Sequence, residues 1–395
     1  MSVQTYENGD ATREGNVKET ASDSQHILVH SDRSAERLRS LKYGDTFAVF
    51  DHYGDIRPGP NGEEGVYFDG TRFLSGLVLD LEGLSPLLLG STVRDDNDQL
   101  VVTLTNPDLF VEGKLHLAAN SIHISRRTFL LDAVCYVEIR LENYSFALVD
   151  TSFTIQFAAD YKDIYEVRGM SRVARGMDLP PGIHENGVSL GYVGLDDERR
   201  TTELEFSPAP SLLTTSSARF HVSLLPRQSL TVQVTVSCTR SLRTRGLLLT
   251  TEQARARNVD EILNEKVNAC SLQSSNGQFN AWVSRSLSDL HMMITLLPTG
   301  PYPYAGVPWF NTPFGRDGII TAWECLWMRP DIAKGVLTYL AAKQATDVSL
   351  EQDAEPGKIL HETRIGEMAT LKEMPFGLYY GSVDATPLFV ALAGA

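Results

Sequence analysis

Cysteine is scarce in this sequence: four in 395 residues, Cys135, Cys238, Cys270 and Cys325, far apart and in no metal-ligand spacing. That excludes a disulfide framework and a zinc module, and it predicts reduced, mostly buried thiols in a cytoplasmic protein. Positive charge is also in short supply. Thirty-five Lys and Arg against 50 Asp and Glu leave a net charge of -15, which argues against a nucleic-acid or anionic-membrane partner, since both need a basic face. No apolar run is long enough to span a bilayer, and the N-terminus lacks the apolar core of a signal peptide. The histidines show no HExxH or similar spacing, so no metal is expected. No phosphate loop, dinucleotide fingerprint or G-x-S-x-G elbow appears, so no cofactor is expected either.

What is present divides in two by period. Residues 1–25 are polar and read as a disordered tail. From 26 to 248 short apolar runs, many alternating with polar residues as in Thr231-Val232-Gln233-Val234-Thr235-Val236, are separated by turn clusters such as PGPNG, DDND and LPPG. A dozen or so such strands predict a large antiparallel sandwich. Near 250 the period changes to that of helices. Residues 249–272 read as a helical linker and 273–395 as a helical domain. One helix is predicted from Phe279 through Leu297, stopped by Pro298. A second is expected after Asp317, a third from Asp331 to about Ala345, and a fourth at Pro387 with Thr386 as its N-cap. Four helices leave apolar faces without partners, which predicts a fragment of a longer helical domain.

Three stretches carry candidate chemistry. The first, YPYAGVPWFNTPFGRDG, sets Tyr302, Tyr304, Trp309 and Phe310 among prolines ahead of Arg316 and Asp317. Asp317 alone reads as a helix cap. An adjacent Arg and Asp also offer donors beside acceptors, a pattern suited to vicinal hydroxyls, and aromatic rings suit the C–H face of a sugar. The second is GSVDATP, where Asp384 sits at the mouth of the last helix, either a solvated loop carboxylate or a proton donor. The third is GKILHETRIGEMA, in a long and weakly periodic loop. There His361 and Glu362 could bond a ligand, or Glu362, Arg364 and Glu367 could form a salt-bridged loop.

Taken together, PWFNTPFGRDGIITAW, GKILHETRIGEMA and YYGSVDATPLFV, with YFDGTRFLSGLVL upstream, resemble the bacterial amylo-α-1,6-glucosidase or glycogen-debranching-enzyme-like proteins over nearly everything from about residue 26. The resemblance implies an N-terminal β-sandwich followed by the first part of an (α/α)6 six-hairpin glycosidase barrel. It implies an α-glucan or oligosaccharide substrate and an inverting general acid/base mechanism. By it Arg316 and Asp317 bind the sugar at the cleaved bond, with Trp309, Phe310, His361 and Glu362 around them. Asp384 is then the general acid, with a pKa raised by burial or neighbouring carboxylates. The base is expected beyond residue 395, Glu362 or Glu367 being the stand-ins within the chain, so this chain is expected to turn over little or nothing. A non-catalytic carbohydrate-binding fragment, or a related enzyme for another sugar, are the competing readings.

Overall fold

In the computed structural model the described residues are 38–57, 62–241, 249–268 and 270–395. The tail expected at 1–25 lies outside them. The larger sheet has eight antiparallel strands in the spatial order Met177–His184, Gly187–Val193, Arg199–Ser207, Ser229–Arg240, Val134–Asn143, Ile122–Leu131, Leu100–Thr105 and Leu87–Val93. A four-stranded sheet, Leu212–Leu213, Ser217–Leu224, Val149–Ala158 and Gly76–Leu81, lies against it. Alternation explains the contact. In Ser229–Arg240 the side chains of Val232, Val234, Val236 and Cys238 are buried, and these meet the inner faces of the smaller sheet. Phe206 of the large sheet touches Phe157 and Phe220 of the small one, with centroids 5.9 and 6.0 Å apart. The expected sandwich is therefore present, with one exception in detail. LPPG, read as a turn, lies within the edge strand Met177–His184, where a register shift between Leu179 and Gly182 accommodates the prolines.

A third sheet, Arg39–Tyr43, Thr46–Phe50, Gly65–Phe68 and Thr71–Leu74, joins the β region to the helices. Its Phe47, Val49 and Tyr67 form a buried cluster with Ile164, Tyr165, Val167, Met368 and Met374. The helices are α1 (Ile164–Val167), α2 (Thr251–Asn268), α3 (Gly277–Met293), α4 (Gly315–Glu324), α5 (Pro330–Ala342), α6 (Glu367–Thr370) and α7 (Ala385–Gly394). In α2, Thr251, Ala254 and Asn258 recur at steps of three and four and are buried, and Ala254 packs on Phe129, Leu131 and Tyr136 of the large sheet. The second core lies between α4, α5 and α7, built from Ile319, Ala322, Ile332, Val336, Leu340, Ala385 and Leu392.

Four helices depart from expectation at their boundaries. The helix predicted through Leu297 stops at Met293, because Ile294–Leu297 pairs with Gly300–Pro303 as a hairpin across Pro298-Thr299. Its β-branched Ile-Thr start and the following turn residues favour the strand over another helical turn. The third helix begins one residue early, at Pro330, and stops at Ala342 rather than about Ala345. α4 begins at Gly315, so Asp317 lies inside its first turn and does not cap it; Phe314 occupies the cap position. α7 begins at Ala385, so Thr386 is its second residue and not its cap.

Candidate active site

Two glycines set the geometry of the FGRDG stretch. The N–H of Gly315 donates to the carbonyl of His361 at 2.9 Å, and a Cβ at Gly315 would lie 1.9 Å from the carbonyl oxygen of Leu360. One turn later, a Cβ at Gly318 would lie 2.7 Å from the hydroxyl of Tyr302, which itself donates to the carbonyl of Phe314 at 2.8 Å. The helix start is thus pressed between the 360–361 backbone and the buried Tyr302 ring, an approach only glycine permits. Phe314 also pairs with Glu362 in an antiparallel bridge.

This packing brings the N-terminal turns of α4 and α7 side by side. Arg316 Nη1 lies 3.3 Å from Asp384 Oδ2 across 68 positions of sequence, and Arg316 Nε lies 3.8 Å from Asp317 Oδ2. All three side chains stay partly open to solvent, between 36 and 45% exposed. Ser382 Oγ donates to Asp384 Oδ1 and accepts the Ala385 N–H at 3.2 Å, so Ser382 satisfies the first helical N–H while Asp384, not Thr386, holds the N-cap position. Thr386 Oγ1 instead accepts the N–H of Ile359 at 3.0 Å and ties α7 to the His361 loop.

The electrostatics of Asp384 overturn one expectation. Its pKa is lowered, not raised: the Ser382 hydroxyl hydrogen bond is the main cause, desolvation opposes it as the next largest effect, and the Arg316 hydrogen bond and charge add to the lowering. The carboxyl is therefore ionised across the neutral range. The expectation failed because sequence could not show that Arg316 and Ser382 would both address this carboxylate.

His361 sits beside the pair. Its ring lies 5.8 Å from Phe314 and 6.0 Å from Tyr379, both edge-on, and its buried Nδ1 has no hydrogen-bond partner among the described residues. Glu362 points elsewhere. It is buried, with Oε1 accepting from Arg364 Nε and from the Tyr165 hydroxyl at 3.2 Å. Glu367 is likewise engaged, not with Arg364 but with the β region, by Arg172 Nη2 at 3.1 Å, the Leu195 N–H at 2.8 Å and the Tyr192 hydroxyl at 2.9 Å. The salt-bridged-loop reading thus holds for Glu362 and Arg364, while Glu367 takes a different partner. Phe310 is 42% exposed and meets Phe314 edge-on at 5.8 Å. Trp309 is partly buried, and its carbonyl accepts from Arg364 Nη1 at 2.8 Å.

Arg316, Asp317 and Asp384 are therefore brought together, the His361 backbone abuts the start of α4, Phe310 packs on Phe314, Trp309 lies by Arg364, and Glu362 is withdrawn into an ion pair. Ser382 and Arg168 belong to the same region and escaped the sequence reading. The Arg364–Glu362 pairing was legible in principle, since residues i and i+2 of an extended chain share a face. A hollow of about 930 Å³ lies elsewhere, between the Lys42–Thr46 turn, α2 and the 291–296 segment.

The fold and these residues are those of a β-sandwich followed by packed helices, with polar groups gathered at the helix N-termini. Residues 41–235 match the family model of the N-terminal domain of some glycogen debranching enzymes. No curated protein matches the sequence. A solved structure described as a kojibiose phosphorylase from the human microbiome superposes with a TM-score of 0.55 at 12% identity, covering 77% of this chain and 46% of that one. The chain thus spans about half the length of that protein, and the likeness is one of fold, covering more of this chain than the β region alone. A galactose mutarotase related enzyme from Lactobacillus acidophilus (TM-score 0.31, 7% identity, 53% of this chain and 100% of that) is more distant. So is a heparan sulfate lyase from Pedobacter heparinus (0.28, 10%, 51% and 34%).

Proposed function

We propose that this chain is the β-sandwich and the first part of the six-hairpin helical barrel of a glycoside hydrolase acting on α-1,6 branch bonds of glycogen-like glucans. The observation that carries the reading is the convergence of Arg316, Asp317 and Asp384 on the N-terminal turns of two helices, next to an aromatic approach. The debranching-type match of residues 41–235 supports it. Arg316 supplies fixed donors, Asp317 and Asp384 acceptors, and Phe310 an exposed ring. This set suits one glucose unit, with hydroxyls bonded at its edge and C–H groups on the ring.

Asp384 is the proton donor in this reading. Its carboxylate is ionised in the free site, so protonation requires the substrate to displace Arg316 or Ser382 from it and exclude water, which raises the pKa. Glu362 and Glu367 are held by arginines and are poor bases, so neither is placed to activate water for an inverting step. That favours a second reading for the chain by itself: it binds glucan without turning it over.

The test is affinity electrophoresis of the full chain in glycogen-containing gels, with a parallel assay for glucose released from branched dextrin, with and without inorganic phosphate. Retardation by glycogen that Arg316→Ala abolishes supports the reading. Equal retardation of wild type and Arg316→Ala refutes it, and phosphate-dependent release of a sugar phosphate would make the protein a phosphorylase.

A further inference from the structure

Arg168 contacts both aromatic side chains of the PWF stretch. Its guanidinium lies 5.9 Å from the Trp309 ring centroid and 5.9 Å from that of Phe310, within cation–π range of each. Among the described residues no carboxylate pairs with it, and no acceptor takes its side-chain N–H groups, whereas the neighbouring Arg172 and Arg175 are both engaged. Its backbone is fixed by the tight turn that ends α1. Asp163 and Glu166 form a reciprocal capping box, and the N–H of Arg168 donates to the Ile164 carbonyl at 3.0 Å. The same side chain lines a cavity of about 490 Å³ whose other walls include Tyr165, Met170, Met374 and Pro375. Glu373 also borders it, but that carboxylate is held by Arg172 at 2.8 and 2.6 Å.

We infer that this cleft, built jointly by the 165–170 and 373–375 segments with Trp309 and Phe310 against the guanidinium of Arg168, is an accessory sugar subsite in which Arg168 donates to vicinal hydroxyls of an α-glucan chain. The inference rests on the proposed glucan-binding function and extends it to a residue 148 positions from Arg316. A planar guanidinium already placed on two rings loses little freedom on bonding a ligand and presents paired donors to adjacent hydroxyls. Methionine, proline and tyrosine side chains offer the apolar surface a pyranose covers with its C–H face. A neutral ligand suits the place better than an anion, because the chain is acidic overall and Glu373 stands on the rim. One aromatic contact, Phe310 to Phe314, separates this cleft from the start of α4. A chain of several glucose units would reach both sites, and a short one would reach only the first.

The test is calorimetric titration of the full chain with maltose through maltoheptaose, run on wild type, Arg168→Ala, Arg168→Lys and Arg316→Ala, with Trp309 emission as a local readout and Trp309→Phe as its control. Affinity of the wild type should rise with oligosaccharide length. Arg168→Ala should weaken the longest ligand about tenfold while leaving the shortest unchanged, Arg168→Lys should recover only part of the loss, and Arg316→Ala should weaken all lengths. Wild-type affinity for every length in Arg168→Ala would overturn the subsite and leave the glucan reading standing. Failure of wild type to bind any oligosaccharide would overturn the glucan reading, and the subsite with it. Titration of inorganic phosphate that depends on Arg168, without oligosaccharide binding there, would overturn the sugar assignment.

Discussion

Arg316 and Asp384 meet at 3.3 Å across 68 positions of a sequence that offers their region as three unconnected motifs. The contact exists because Gly315 lets α4 press against the backbone at Leu360, and because Thr386 ties α7 to the same segment through the Ile359 N–H. The first prediction follows from this pair. Asp384 should titrate below the ordinary carboxylate value of 3.8, and Ser382→Ala or Arg316→Ala should each move it back up, read by carboxyl carbon NMR. A lowered folded-state pKa adds stability that is present above the unfolded value and lost as pH falls through the folded one. For so exposed a group that change is too small to move the melting temperature, and Asp384→Asn should leave it unchanged.

The glycines give a sharper stability test. Gly315→Ala drives a methyl group into the Leu360 carbonyl, which is backbone and has no freedom to yield, and it breaks the N–H bond to His361. It should cost more than the ~1–3 kcal/mol of ordinary overpacking. Gly318→Ala meets the Tyr302 ring and should fall within that range; both are read by urea unfolding. Tyr302→Phe removes the hydroxyl but keeps the ring, so it should relieve the Gly318→Ala penalty only in part while itself losing the bond to the Phe314 carbonyl.

Much of the β region was legible because burial on one face leaves a period of two in sequence, as in Val232, Val234, Val236 and Cys238. The amphipathic helices were legible for the same reason at their own period. What misled was local competition. Asp317 before an apolar run looks like a cap, yet the chain enters the helix two residues earlier, since Gly315 can approach Leu360 and Tyr302 already satisfies the Phe314 carbonyl. Asp384, Arg316 and Asp317 were identifiable by motif, but not their mutual charge balance, which depends on which helix ends become neighbours. Arg168 carried no signal at all, since its partners Trp309 and Phe310 lie some 140 residues downstream.

Glu367 was read as part of a surface salt-bridge loop and is instead a buried junction between α6 and the β region. Burial pushes its pKa up, but hydrogen bonds from Arg172, the Leu195 N–H and the Tyr192 hydroxyl outweigh it, so the net shift is downward. Its contribution to stability is therefore present above the unfolded carboxylate value and lost as pH falls through the lower folded one. Glu367→Ala leaves Arg172 with only part of its pairing and should cost about 3–5 kcal/mol, while Glu367→Gln, which keeps an acceptor, should cost less. Hydrogen exchange should show the loss first in 367–374 and in the 192–196 turn that the carboxylate tethers. A uniform loss across the sandwich would contradict a local junction.

Lys42 supplies the pH prediction at neutral and alkaline values. Its side chain is buried against Tyr304, 4.9 Å from the ring centroid, and donates to Thr295 Oγ1 at 3.0 Å. Desolvation lowers its pKa from 10.5 to about 7, with the Asp45 charge opposing. The unfolded chain then binds the proton more tightly than the folded one, so stability should rise with pH between about 7 and 10.5, by at most about 1.4 kcal/mol per pH unit from this group, and be flat below. Lys42→Met keeps the aliphatic length, removes the charge and should erase that slope in chemical denaturation curves taken from pH 6 to 10. Thr295 loses its donor in the variant but still donates to the Gly44 carbonyl at 3.2 Å, so the baseline cost should stay near 1 kcal/mol. An unchanged slope in Lys42→Met would show that Lys42 stays charged in the folded protein, held by Asp45.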